Sequence, residues 1–237
     1  MNIMKSIPLS IFFLLLLCSC VSTGANDHAG AAKLQQSKVS NSVSGAQSVG
    51  SQYYFDSLKL IKKQNIDELN TIDFVKFRHS YILARDKNDI STVDELTKNI
   101  KQSLKDNDNK KILYLCDEIL EKDYTDIYAH VMRNYLLSLD GKDVSFNQAY
   151  VGKIMNSIFE SGDGRTQQTA FHVFQVKEEY ETLKFLRLRP VGQSLLETNG
   201  NYFDLLTAED EKGNKHEIYF NINEHMQSIK DMLSKKN

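Results

Sequence analysis

Two changes of hydrophobic rhythm predict an α+β fold for this chain. Between residues 51 and 161 apolar side chains recur at helical spacing, and no proline interrupts the run. From 162 to 237 the pattern alternates instead. There the turn pairs Asn199-Gly200 and Lys212-Gly213 separate short stretches rich in branched and aromatic residues. The expected architecture is an antiparallel helical half, 51–161, followed by a small β-α-β-β-β-α sheet module, 162–237.

The helical elements follow in order. Phe74, Phe77, Tyr81 and Ala84 fall on one stripe, and Val93, Leu96, Ile100 and Leu104 repeat it, opened by a capping-box-like Ser91/Asp94 pair. Ile112, Leu115, Cys116, Ile119 and Leu120 make the next stripe. After a short Asp123-Tyr124-Thr125 connection come Ile127, Val131, Met132, Tyr135, Leu136 and Leu139, with Gly141 placed to stop the helix. Ser145 and Gln148 form a second capping box, opening a helix to Glu160.

In the second half, residues 170–176 read as a strand and 177–188 as a helix ended by Pro190. Two hairpins then carry strands at 191–198, 202–208 and 215–222. In the last strand His216, Ile218, Phe220 and Ile222 point one way, and Lys215, Glu217, Tyr219 and Asn221 the other. Asn223 is placed to cap a closing helix with Met226, Ile229, Met232 and Leu233 facing inward.

The first fifty residues differ in kind. The run Ile11-Phe12-Phe13-Leu14-Leu15-Leu16-Leu17-Cys18-Ser19-Cys20 resembles a bacterial lipoprotein leader, with Leu17-Cys18-Ser19-Cys20 as its lipobox. An apolar core of about a dozen residues is shorter than the ~20 of a spanning helix and suits a secretory segment. The resemblance implies a signal peptide at 1–19, cleavage before Cys20 and acylation of its sulfur; a plain secretion signal is the alternative. Residues 20–50, rich in Ser, Ala, Gly, Gln and Asn without an aromatic, read as a disordered tether with a reach of roughly 30 Å. No acidic run follows Cys20, so the expected station is the outer membrane, facing the periplasm.

Composition bounds the rest. Hydrophobic residues are 41% and charged residues 25% of the chain, ordinary for a folded body. A net charge of −2 gives no electrostatic reason to expect nucleic acid. With Cys20 acylated, Cys116 stands alone in an apolar stripe, so no internal disulfide is expected and the thiol reads as a small buried hydrophobe.

Further resemblances cover much of the folded part. The segment from Asn109 through the Leu120-Glu121-Lys122-Asp123 turn to His130 resembles a tetratricopeptide junction, although the turn proline is missing and no 34-residue period recurs. An irregular helical bundle therefore stays open beside a repeat array. Ser161-Gly162-Asp163-Gly164, Thr169-Ala170-Phe171-His172-Val173, Glu178-Glu179-Tyr180, Pro190-Val191-Gly192-Gln193-Ser194-Leu195 and Ile218-Tyr219-Phe220-Asn221-Ile222 together resemble a domain-of-unknown-function family of bacterial secreted and lipid-anchored proteins. That likeness spans roughly residues 109–222 and implies architecture and compartment, not an activity.

Motifs for chemistry are sparse. Gly162-Asp163-Gly164-Arg165-Thr166 could cradle an anion, with Ser161, Asp163 and Arg165 as candidate contacts, but the phosphate-loop spacing is absent and a linker turn is the plainer reading. His172 and His216 share strand faces with apolar residues and could meet Ser194, Tyr202 or Asp204 in a pocket as acid or base. No Cys-x-x-Cys, His-Glu-x-x-His or Gly-x-Ser-x-Gly occurs, so neither a metal site nor a cofactor is expected. Glu178-Glu179 reads as a solvated first turn favoured by the helix dipole. Tyr53, Tyr54, Tyr114, Tyr124, Tyr128 and Tyr150 suit either packing or partner contact. The expected role is binding a protein, peptide or envelope glycan near the membrane. The alternative is a hydrolase-like envelope enzyme using His172, His216 and Asp204.

Overall fold

A computed structural model describes residues 43–234; the leader, Cys20 and the start of the tether lie outside them. The chain runs α1 (Val43–Ile61), α2 (Ile66–Leu69), α3 (Phe74–Ala84), α4 (Lys87–Lys105), α5 (Asn109–Lys122), α6 (Ile127–Leu139), α7 (Ser145–Phe159), β1 (Phe171–His172), α8 (Val176–Phe185), β2 (Arg189–Thr198), β3 (Asn201–Glu209), β4 (Lys215–Asn221) and α9 (Asn223–Ser234). This is the α+β order expected, with helices first and a mixed four-stranded sheet after them. Helix α1 begins inside the segment expected to be tether.

Aspartates start four successive helices. Asp73, Asp86, Asp108 and Asp126 each accept a backbone N–H from the first turn of α3, α4, α5 and α6. Helix α4 therefore opens at Lys87 rather than Ser91, whose hydroxyl bonds the Asn88 carbonyl within the helix. Asp143, not Ser145, takes the free amide at the start of α7. Gly141 stops α6 as expected: its N–H bonds the Ser138 carbonyl, and Lys142 reaches back to Leu137.

The first strand is shorter than expected, spanning Phe171–His172 alone. Glu178 causes this. Its carboxylate takes the Phe174 amide at 2.7 Å and its own N–H bonds the Gln175 carbonyl, turning the chain into α8 early. That helix ends at Phe185 through Arg187, which sits at φ +59°, and Leu188 bonds back to Leu183. Pro190 lies inside β2, not at the helix end.

The strand order is β1-β4-β3-β2, with β1 parallel to β4 and the other pairs antiparallel. Asn199 (φ +52°) and Gly200 (φ +79°) make the two-residue turn joining β2 to β3. Asn223 does not cap α9; its side chain accepts the Tyr202 amide and donates to Asn201, fastening the helix start to β3.

One core runs across the boundary between helices and sheet. Phe77, Tyr150, Ile154 and Ile158 from the helices pack with Leu183, Leu206, Ile218 and Phe220. A second cluster holds α4, α5 and α6 together through Ile100, Ile112, Ile119 and the buried Cys116, whose thiol is pushed up to about 12 by burial.

Candidate functional site

Three elements converge on one lysine. The α5–α6 connection places two carboxylates with opposite duties: Asp126 caps α6 through the Ala129 amide at 2.8 Å, and Asp123 folds over the Thr125 amide and hydroxyl. Each keeps a second oxygen free, and Lys177 at the start of α8 fills both, contacting Asp123 and reaching Asp126 at 2.7 Å. Burial alone would lower the Lys177 pKa, but the two carboxylates outweigh it and hold the ammonium charged. Burial would likewise raise Asp126; the ammonium and the Ala129 amide bring it below the usual range.

Polar contacts extend from this knot. Gln175 donates to the Thr125 hydroxyl at 3.3 Å and accepts from Arg85 at 3.4 Å. Beneath it the Tyr124 carbonyl receives the Tyr150 hydroxyl at 2.6 Å and lies 3.0 Å from His130 Nε2. A carbonyl can only accept, so His130 carries its proton on Nε2, and burial lowers its pKa to about 4.

Over Lys177 the surface opens into two adjoining hollows that share Val93, Asp94 and Lys177. The larger, ≈ 430 Å³, lies between α4 and α8 and is walled by Thr97, Lys101, Tyr128, Tyr180 and Lys184. The smaller, ≈ 280 Å³, runs towards Tyr81, Arg85 and His225. Lys184 lies over the Tyr128 ring at 4.9 Å and bonds Glu181 at 2.6 Å. Along the whole cleft the cations Arg85, Lys101, Lys177 and Lys184 are matched by the anions Asp94, Asp123, Asp126 and Glu181. Tyrosine faces beside alternating donors and acceptors make a surface for a polar ligand without strong net charge.

The residues singled out from sequence lie elsewhere. Ser161 accepts the His172 amide at 2.8 Å and donates to Ile158. Asp163 takes the Arg165 amide and the Thr169 hydroxyl. Gly164, at φ +69°, donates to Thr169 and accepts from Tyr219, so the loop runs beside β4. A Cβ on Gly164 would stand 2.5 Å from the Phe171 ring, and one on Gly162 2.2 Å from the Thr169 carbonyl oxygen. These glycines serve close packing, and Arg165 is exposed.

His172, His216 and Asp204 do not meet. The register puts Phe171, Phe220, Asp204 and His216 on one sheet face and His172, beside Asn221, on the other. His172 pairs with Glu224 at 2.7 Å, and His216 with Asp210 at 3.3 Å. Four residues along β4 separate the rows of Asp204 and His216, about 13 Å at strand spacing. Ser194 is exposed on β2, and the Tyr202 ring carries Lys230 at 4.5 Å.

The acids of α8 overturn the solvated reading. Glu178, Glu179 and Glu181 are all buried. Arg78, itself 1% exposed, donates to Glu178 at 3.0 Å. Both Glu179 oxygens are buried without a donor, against Asp204, which accepts from Gln193 at 2.9 Å. Burial first, then the Asp204 charge, raises Glu179 to about 9. At neutral pH Glu179 is therefore a carboxylic acid able to donate to Asp204.

The fold and its cleft define an α+β protein with a polar groove between helices. No group of histidine, cysteine or acidic side chains among the described residues is arranged to hold a metal. The chain belongs to the family described as Domain of unknown function (DUF4919), whose model matches residues 39–231. No curated protein and no solved structure matches it.

Proposed function

We propose that this chain is a cell-envelope lipoprotein, acylated at Cys20, whose folded body binds a peptide or glycan in the cleft over Lys177. The observation that carries the reading is the charge-balanced, tyrosine-bearing pair of hollows meeting at one fixed lysine. Such a surface offers hydrogen bonds in both senses and ring faces for stacking, which a glycan or a mixed-sequence peptide uses and a polyanion does not. The α4–α6 helices serve as tetratricopeptide-like hairpins do, presenting a concave wall. The leader-like run before Cys20 supports export and a lipid anchor.

The test is a photo-crosslinking amino acid at Thr97, inside the cleft, in the native envelope. The expected result is a discrete peptide or glycan adduct that Tyr128→Ala removes. An identical adduct pattern from a probe at exposed Tyr114, or no adduct at Thr97, refutes the reading.

A further inference from the structure

We infer that the smaller hollow is a carboxylate subsite, seating the C-terminal end of a peptide whose last side chain is apolar. This rests on the cleft reading above and names the part of the ligand that enters deepest. Three kinds of donor line this hollow unanswered. Tyr81 is 2% exposed, and its ring packs in the core beside Tyr54. Its hydroxyl makes no hydrogen bond among the described residues and meets the hollow near Arg85 and the Asp123–Lys177 pair. Burial and the Asp123 charge keep that hydroxyl protonated, so it donates. Arg85, just past α3, reaches only Gln175, at 3.4 Å, and no carboxylate among the described residues pairs with it. Helix α8 opens on the same wall, where Gln175 supplies no side-chain cap. Among the described residues the Val176 and Lys177 amides find no acceptor, so the positive end of the helix stands open.

A carboxylate answers all of these donors at once. It is planar and singly charged, and its two oxygens match a guanidinium fork and free helix amides. The acids on the wall do not oppose it. Asp123 is spent: one oxygen takes the Thr125 amide and hydroxyl, and the other takes Lys177. Asp94 is exposed, where the two hollows join. The remaining wall is aliphatic, formed by Ile90, Val93 and Val176. The last residue of a peptide carries a carboxylate and a side chain on one carbon, and so meets both surfaces together. An acidic sugar would set ring hydroxyls against the aliphatic groups without partners. From Val93 and Asp94 the preceding residues pass into the larger hollow, between Lys101 and the Tyr128 and Tyr180 rings.

The experiment is equilibrium dialysis of the full chain in detergent against N-acetylated pentapeptides ending in Val and otherwise randomised, read by mass spectrometry. The same pool with C-terminal amides and digalacturonate, an acidic glycan, are run beside it. The unaltered chain should retain the free acids at least tenfold more tightly than the amides, which lose the charge-assisted hydrogen bonds. Arg85→Gln should abolish that preference. Tyr81→Phe keeps the ring in place and removes one donor, so it should weaken free-acid binding about fivefold and leave the amides unchanged. Equal retention of both pools, a preference that survives both substitutions, retention of digalacturonate alone, or no retention of either pool would overturn the subsite. Equal retention that Tyr128→Ala abolishes overturns the subsite while the cleft stands. No retention of any probe, together with no adduct at Thr97, removes the cleft as well.

Discussion

Replacing Glu179 by Gln should stabilise the protein, by an amount that grows with pH. Glu179 is wholly buried, and its pKa rises from 4.5 to about 9 through burial and the neighbouring Asp204. In the unfolded chain it ionises near 4.5, so between 4.5 and 9 folding must take up a proton. The folded state is thus fully favoured by this group at acid pH and loses that advantage as pH climbs towards 9. Each pH unit is worth roughly 1.4 kcal/mol, so the cost is about 3 kcal/mol at pH 7 and about 6 by pH 9. Glutamine keeps the volume and still donates to Asp204, but it carries no proton to lose. Urea unfolding of both proteins from pH 4 to 9 should show near-equal stability at the acid end and a steadily widening gap above it. Parallel curves, or a glutamine variant less stable at pH 8, would refute the protonated-acid account.

Four further outcomes follow from the same contacts. Lys177→Met leaves Asp123 and Asp126 facing each other, both nearly buried, and should cost about 3–5 kcal/mol at neutral pH. That loss should shrink below pH 5 in chemical denaturation, because the lysine's benefit to Asp126 vanishes once the acid is protonated. Arg78→Met strands the Glu178 charge and should cost a similar amount, with Arg78→Met/Glu178→Gln recovering part of it; a double variant no better than the single contradicts a buried ion pair. Gly164→Ala forces a left-handed residue against Phe171, so its thermal midpoint should fall by several degrees, while exposed Arg165→Ala leaves it unchanged. Intact-mass measurement should find the processed chain starting at Cys20 with added acyl weight; any other start rules out the proposed anchor.

What could be read from the sequence was what local spacing encodes. The Ile112, Leu115, Cys116, Ile119 and Leu120 stripe is buried as its period demands, and Asn199-Gly200 turns the hairpin it announces. Capping was read less well, since the aspartates preceding the helices outcompeted the serines inside them. The cleft was hidden for a different reason. Lys177 draws meaning from Asp123 and Asp126, more than fifty residues earlier, and Glu178 from Arg78, a hundred residues away. Without those partners, acids at a helix start look like dipole-stabilised surface groups. Strand parity, which the sequence did carry, is what separates His172 from Asp204 and His216 once register is known.

The most direct test is amide-shift mapping by NMR while the folded body is titrated with peptide and glycan fractions of the native envelope. The cleft account predicts saturable shifts confined to residues 93–101, 123–128 and 177–184. Shifts centred on the sheet face bearing Ser194, or none with any fraction, would contradict it.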